Sequence, residues 1–190
     1  MRRKNKIICV VDPEFLVVWS KFRYGSKLAE IVGRGYITED FFDIFSEEKT
    51  VSFFRQLLES KVLVVYYDFE EPYDAILDFL RRTFVEDSWL CQLDKTLVQL
   101  LAIAIKEDIP ILSDNFCVHK FAVLHWDRSM VLNSYNLLRL MVTRGLFDDF
   151  GVLAKDFAED TGTVFAELRG DQSSPFQLGD IQDLNRGLKT

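Results

Sequence analysis

Along the chain, unbroken apolar runs alternate with amphipathic stretches. Ile7–Val11 is five apolar residues in succession, mostly β-branched, and it stops at Asp12-Pro13. A strand with one wet face would alternate apolar and polar residues; a continuous run predicts a strand covered on both faces, as in parallel sheets. Val62–Tyr67 (VLVVYY) is a second such run, closed by Asp68, and Ile109–Ser113 is a third, closed by Asp114-Asn115. Between them the period becomes helical. Glu14–Phe22 is expected as a short helix with Pro13 in its first turn and Asp12 as its cap. Ser26–Val32 reads as a second helical stretch closed by Gly33 and Gly35, with Tyr36–Thr38 a brief extended entry. Further helices are expected over Glu39–Ser46, which Thr38 can cap, over Lys49–Ser60 and over Pro72–Phe84. Asp94 opens a helix running to Glu107. Its interior, LVQLLAIAI, is apolar nearly all round, which predicts packing on several sides. Val118–Leu124 is helical again.

Beyond Trp126 the pattern changes. Val131–Arg144 and Asp148–Asp160 read as two helices hinged at Gly145, and past Gly170 no apolar period remains. The order of strands and helices predicts an α/β fold: a three-layer α/β/α sandwich around a central, mainly parallel sheet, joined by right-handed crossovers. The expected organisation is an α/β unit over residues 1–126, a helical extension packed on it over 127–165, and a loose tail over 166–190.

Composition narrows the function classes. With 190 residues, 48% of them apolar, the chain can bury a substantial core. Its net charge of −7 argues against a module that grips nucleic acid by charge alone; such contact would need a local basic patch or metal ions. The cysteines Cys9, Cys91 and Cys117 are odd in number and form no CxxC, which argues against a disulfide framework and against a zinc site. Two histidines, His119 and His125, are too few for a histidine-based metal cluster. The apolar stretch after the basic N-terminus is too short for a signal peptide or a membrane helix, so a cytoplasmic protein without a membrane partner is expected.

Two strong strands end in Asp12 and Asp114, and in open parallel sheets the ligand crevice lies beyond the carboxyl ends of the strands. Asp94 opens the helix that feeds the Asp114 strand and is expected at the same edge. Converging carboxylates repel one another and are costly to bury unpaired. A hard divalent cation relieves that cost, and oxygen donors select Mg²⁺ or Mn²⁺. Such an ion acidifies a bound water and neutralises charge on a phosphoryl oxygen, which fits phosphodiester hydrolysis. Each acid also has a plainer use. Asp12 and Asp94 suit helix caps, Asp114-Asn115 suits a turn, and Asp43 and Glu47 suit solvated helix positions. Arg81, Arg82, Lys95 and Lys120 are ordinary surface charges or phosphate contacts. His119 reads as a surface helix residue. Trp126 and Tyr135 are core residues first and base-stacking residues second.

Asp12 ending the first strand, Asp94 heading an apolar helix and Ser113-Asp114-Asn115 ending a later strand together resemble the PIN-domain nucleases. The segment DKTLVQLLAIAIKEDIPILSDN, Asp94 to Asn115, is similar to that family's most recognisable stretch. NLLRLMVTRGLFDDFGVLAKDFAEDTG is similar to a helical extension in a prokaryotic subgroup. The resemblance covers roughly residues 6–165. It implies a Mg²⁺- or Mn²⁺-dependent endoribonuclease acting on single-stranded or structured RNA. It further implies a homodimer, and an antitoxin partner if the chain is the toxin of a toxin–antitoxin pair. Carried over, Asp12, Asp94 and Asp114 ligate metal, and one of them acts as general base. Asp43 takes the place of a family Glu, with Glu47 the alternative one turn later. Ser113 positions the loop, Asn115 assists by hydrogen bonding and Lys95 contacts substrate. The chain departs from the family pattern in having Pro13-Glu14 after its first Asp and Asp43 for Glu. Those departures favour an alternative, a catalytically weakened PIN-like scaffold that acts in binding or assembly.

Overall fold

In the computed structural model the described residues are 6–43, 45–70, 72–86, 93–163 and 165, the side chains of 42 and 43 excepted. Five strands form one sheet: β1 (Ile7–Val11), β2 (Val32–Ile37), β3 (Leu63–Val65), β4 (Ile111–Leu112) and β5 (Val131–Leu132). Their spatial order is β3-β2-β1-β4-β5, and every pairing is parallel. β1 is the central strand, with Val10 opposite Tyr36 on one side and Ile111 on the other. Its Cys9, Val10 and Val11 are buried, as an unbroken apolar run requires.

Eight α-helices are described: α1 (Pro13–Lys21), α2 (Leu28–Ile31), α3 (Glu48–Glu59), α4 (Tyr73–Glu86), α5 (Lys95–Glu107), α6 (Phe116–His125), α7 (Ser134–Thr143) and α8 (Phe150–Thr161). The chain steps one way from β1 to β3 and the other way from β1 to β4 and β5. Right-handed crossovers therefore put the two sets of helices on opposite faces of the sheet. α1 packs on α3 in one layer, and α4 on α5 in the other. The ring of Phe84 on α4 stacks on Phe121 of α6 with centroids 5.2 Å apart. α5, the helix that is apolar nearly all round, packs against β1, β4 and α4, and its Leu100 to Ala104 are buried. The C-terminal helices return over the α1 layer. Phe157 of α8 meets Trp19 and Phe22 at 5.6 and 4.9 Å, and Arg23 binds Asp160 of α8 at 2.7 Å. Gly145 turns the chain between α7 and α8 at φ 68°, a conformation that suits a residue without Cβ.

The structure corrects several expectations. Val32–Ile37 is a full strand, not the end of a helix and a short entry. Gly33 and Gly35 resemble breakers, yet they lie within the strand, where neighbouring side chains fill the space a Cβ would take. A Cβ on Gly35 would stand 2.7 Å from Val11 Cγ2 and 2.9 Å from Leu63 Cδ2. Val131 and Leu132 form β5 rather than the start of a helix, so the fifth strand comes from the segment read as an appended extension. The span expected as a helix over Glu39–Ser46 is a 3-10 turn over Glu39–Asp43, and its Phe41 and Phe45 still meet Phe54 of α3. Cys9 is free and buried, but Cys117 is disulfide-bonded, a single cross-link where the odd count argues against a disulfide framework. The 166–190 tail lies outside the described residues. No helix among the described residues is long and apolar enough to cross a membrane.

Gly35→Ala tests how fully Val11 and Leu63 fill the space over Gly35. The added methyl overpacks against Val11 and Leu63, and stability should fall by about 1–3 kcal/mol, measured by urea denaturation. A midpoint equal to that of the native chain would show that the sheet has room there.

Candidate acidic site at the switch point

The strand order reverses direction between β1 and β4, and in open parallel sheets ligands bind beyond the carboxyl ends of the strands at such a point. Asp12 follows β1 directly, and Ser113-Asp114-Asn115 follows β4. The ladder runs one residue past each strand end and fixes their positions. The Asp12 amide donates to the Leu112 carbonyl, and the Ser113 amide donates to the Leu132 carbonyl, both at 3.0 Å.

Asp12 is 1% exposed. Its Oδ1 accepts the Glu14 amide at 2.9 Å, capping α1, and its Oδ2 accepts the Ser113 hydroxyl at 2.5 Å. Ser113 Oγ in turn accepts the Asn115 amide at 3.1 Å. Asp114 keeps an exposed flank, while its carboxylate turns onto the start of α7. There Oδ1 accepts the Ser134 amide at 2.7 Å, and Oδ2 accepts the Ser134 hydroxyl at 2.5 Å. Ser134 Oγ also accepts Trp19 Nε1 at 2.9 Å. A chain of hydrogen bonds thus runs from α1 through α7 to the second acid.

Burial pushes the Asp12 carboxyl up to about 6. The Ser113 and Glu14 hydrogen bonds oppose the rise, and the nearby charges of Glu14 and Asp114 add to it. Dense packing around its carboxyl group also raises Asp114, against the two Ser134 bonds. Among the described residues no ammonium or guanidinium group pairs with either acid. His119 sits beneath them, buried, and its Nε2 donates to the Ser113 carbonyl at 2.9 Å. Burial lowers its pKa to about 4, so it is a neutral structural donor and not the surface residue expected.

Of the expected site residues, the structure brings together Asp12, Ser113 and Asp114. Asn115 instead caps α6, its Oδ1 accepting the Cys117 amide at 2.8 Å. Asp94 is exposed and caps α5, its Oδ1 accepting the Leu97 amide at 2.7 Å. Lys95 follows it, exposed, as the first residue of α5. Glu47 is exposed just before α3 and shares no helix with Asp43. The side chain of Asp43 lies outside the description. Among the described residues no group of three His, Cys, Asp or Glu is placed to hold a metal. The pair itself fits a hard cation of the Mg²⁺ type, which takes one or two carboxylates and fills its shell with water and substrate oxygens. Ser134 was missed because it lay inside the span Val131–Arg144 expected as one helix, and its role depends on a strand and on a Trp19 contact that no local pattern reports. No protein-family model, curated protein or solved structure matches the chain.

Because the folded chain binds a proton at Asp12 more tightly than the unfolded chain does, stability is favoured at low pH and falls as pH rises from 3.8 to about 6. Asp12→Asn removes that slope. It should raise stability at pH 7.5 on the order of 2 kcal/mol and change little near pH 4, measured by chemical denaturation across pH. Asp94→Ala should cost about 1 kcal/mol, as loss of a helix cap does. A slope that persists in Asp12→Asn would remove Asp12 as its source.

Proposed function

We propose that this chain is a PIN-like, Mg²⁺- or Mn²⁺-dependent ribonuclease whose working centre is the Asp12–Asp114 pair. The observation that carries it is that the buried Asp12 and the partly exposed Asp114 follow adjacent strands, unpaired by any described cation, at the edge where parallel α/β sheets place their ligands. Asp12 and Asp114 would hold the ion. When bound, it would neutralise charge on a phosphodiester and acidify a water. Ser113 orients Asp12 from one side, and Ser134 orients Asp114 from the other. Asp114, with its exposed flank, is the acid that meets solvent and substrate, while Asp12 lies behind it. A carboxyl group raised toward neutrality is a competent proton acceptor near physiological pH, which suits one member of the pair to a base role. The homodimer, the toxin role and an antitoxin partner rest on the resemblance of Asp12, Asp94 and Ser113-Asp114-Asn115 to the family pattern.

One observation favours the alternative of a weakened scaffold acting in binding or assembly. Asp94, the family's third acid, spends its carboxylate on its own helix and does not join the pair.

Mn²⁺ titration separates the two readings. For a nuclease, saturating Mn²⁺ should raise stability by about 2–3 kcal/mol at 100 times Kd. The gain should shrink at pH 5, where a proton on Asp12 competes with the ion. Asp114→Asn should abolish both this gain and the cleavage of mixed RNA, and Asp94→Asn should spare the binding. Metal-independent stability together with intact RNA after prolonged incubation would leave only the scaffold.

A further inference from the structure

Phe116 opens α6 two residues after Asp114, and 67% of it faces solvent. Asn115 caps this helix and fixes its first turn relative to the acid pair. Side chains on a helix lean toward its N-terminus, and the N-terminus of α6 lies at the carboxyl edge of β4. The Phe116 ring therefore leans toward the Asp114 side of the molecule. Lys120, one turn further along, brings its Nζ to 6.0 Å from the centre of that ring. Single-stranded nucleic acid is held by exposed rings that stack on bases together with nearby cations that meet the backbone.

From this arrangement we infer that Phe116 is a stacking platform for a base of single-stranded RNA, with Lys120 at the adjoining phosphate. The inference rests on the nuclease reading and supplies what that reading lacks, a source of affinity. With a net charge of −7 the chain cannot gather a polyanion by its overall field. Stacking is insensitive to that field and to base identity, so it suits a chain of this charge. Val123 and Leu124, further along α6, are also half exposed and offer a surface to a second copy of the chain. The position of Phe116 argues for RNA, because the ring lies at the acidic end of the helix beside a lysine, a residue depleted at the cores of protein interfaces.

Binding in EDTA separates stacking from cleavage. The probe is a fluorescently labelled, mixed-sequence single-stranded RNA, compared by anisotropy with an oligomer of the same length that lacks bases. The native chain should prefer the RNA with bases. Phe116→Ala should weaken its Kd about 5- to 100-fold and erase the preference, while Phe116→Trp should keep both. Lys120→Gln should lower the salt dependence by about one ion and leave the preference intact. Equal affinity of Phe116→Ala and the native chain would overturn the inference, as would native binding to neither oligomer. A dimer that falls to monomer in Phe116→Ala with RNA binding unchanged would assign this face to a second copy. Base-dependent binding without Mn²⁺-dependent cleavage would sink the nuclease reading alone; cleavage indifferent to Phe116 would sink this one alone.

Discussion

Two carboxylates at the ends of adjacent strands, satisfied by serine hydroxyls and backbone amides rather than by cations, set the terms for the rest of the molecule. Ionised at the same sheet edge, the buried Asp12 and the packed carboxylate of Asp114 oppose folding. Charge-assisted hydrogen bonds from Ser113, Ser134 and the Glu14 amide offset part of that cost. Those donors are correctly placed only if β1, β4 and β5 are in register. The pair is therefore a property of three strands and the first turn of α7, and no local segment can build it. That arrangement, two acids held at one sheet edge without a described cation, is the physical basis of the proposed metal-dependent reading.

How far the sequence foretold this depended on the local signal each element carries. β1 was legible because Ile7–Val11 has no polar residue to suggest another structure. β2 was hidden because Gly33 and Gly35 leave room for the side chains of Lys6, Val11 and Leu63, a fact of three dimensions that a one-dimensional reading takes for a break. β5 was hidden because two residues carry no period at all. Among the acids, Asp12 and Asp114 were legible because they end buried strands. Asp94 opens its helix as expected and caps it, and among the described residues it forms no metal-holding group with Asp12 and Asp114. Ser134 and Trp19 could not be found, since their contact with each other spans 115 residues of sequence. His119 was misread for a similar reason: its partner, the Ser113 carbonyl, is fixed by the packing of α6 under the strand end.

The C-terminal helices bear on the site more directly than an appendage would. α8 is held to α1 by two kinds of contact. Rings do the bulk of the work: Trp19, Phe22, Phe157 and Phe165 form a continuous aromatic cluster, and most of that area is removed from water. Arg23 adds ion pairs to Asp156, Glu159 and Asp160. These are partly exposed, so they specify where α8 sits more than they strengthen its hold.

Trp19 belongs to both systems. One face of its ring lies in the aromatic cluster, while its indole nitrogen donates to Ser134, which holds Asp114. Displacing α8 withdraws Phe157 from Trp19. A looser Trp19 gives Ser134 one fewer fixed partner, and Ser134 is the residue that sets both oxygens of Asp114. Coupling of this kind needs no distant conformational switch, only a contiguous set of packed groups with little slack. It explains in physical terms why a helix that contributes no acid belongs to the same folding unit as the two that matter.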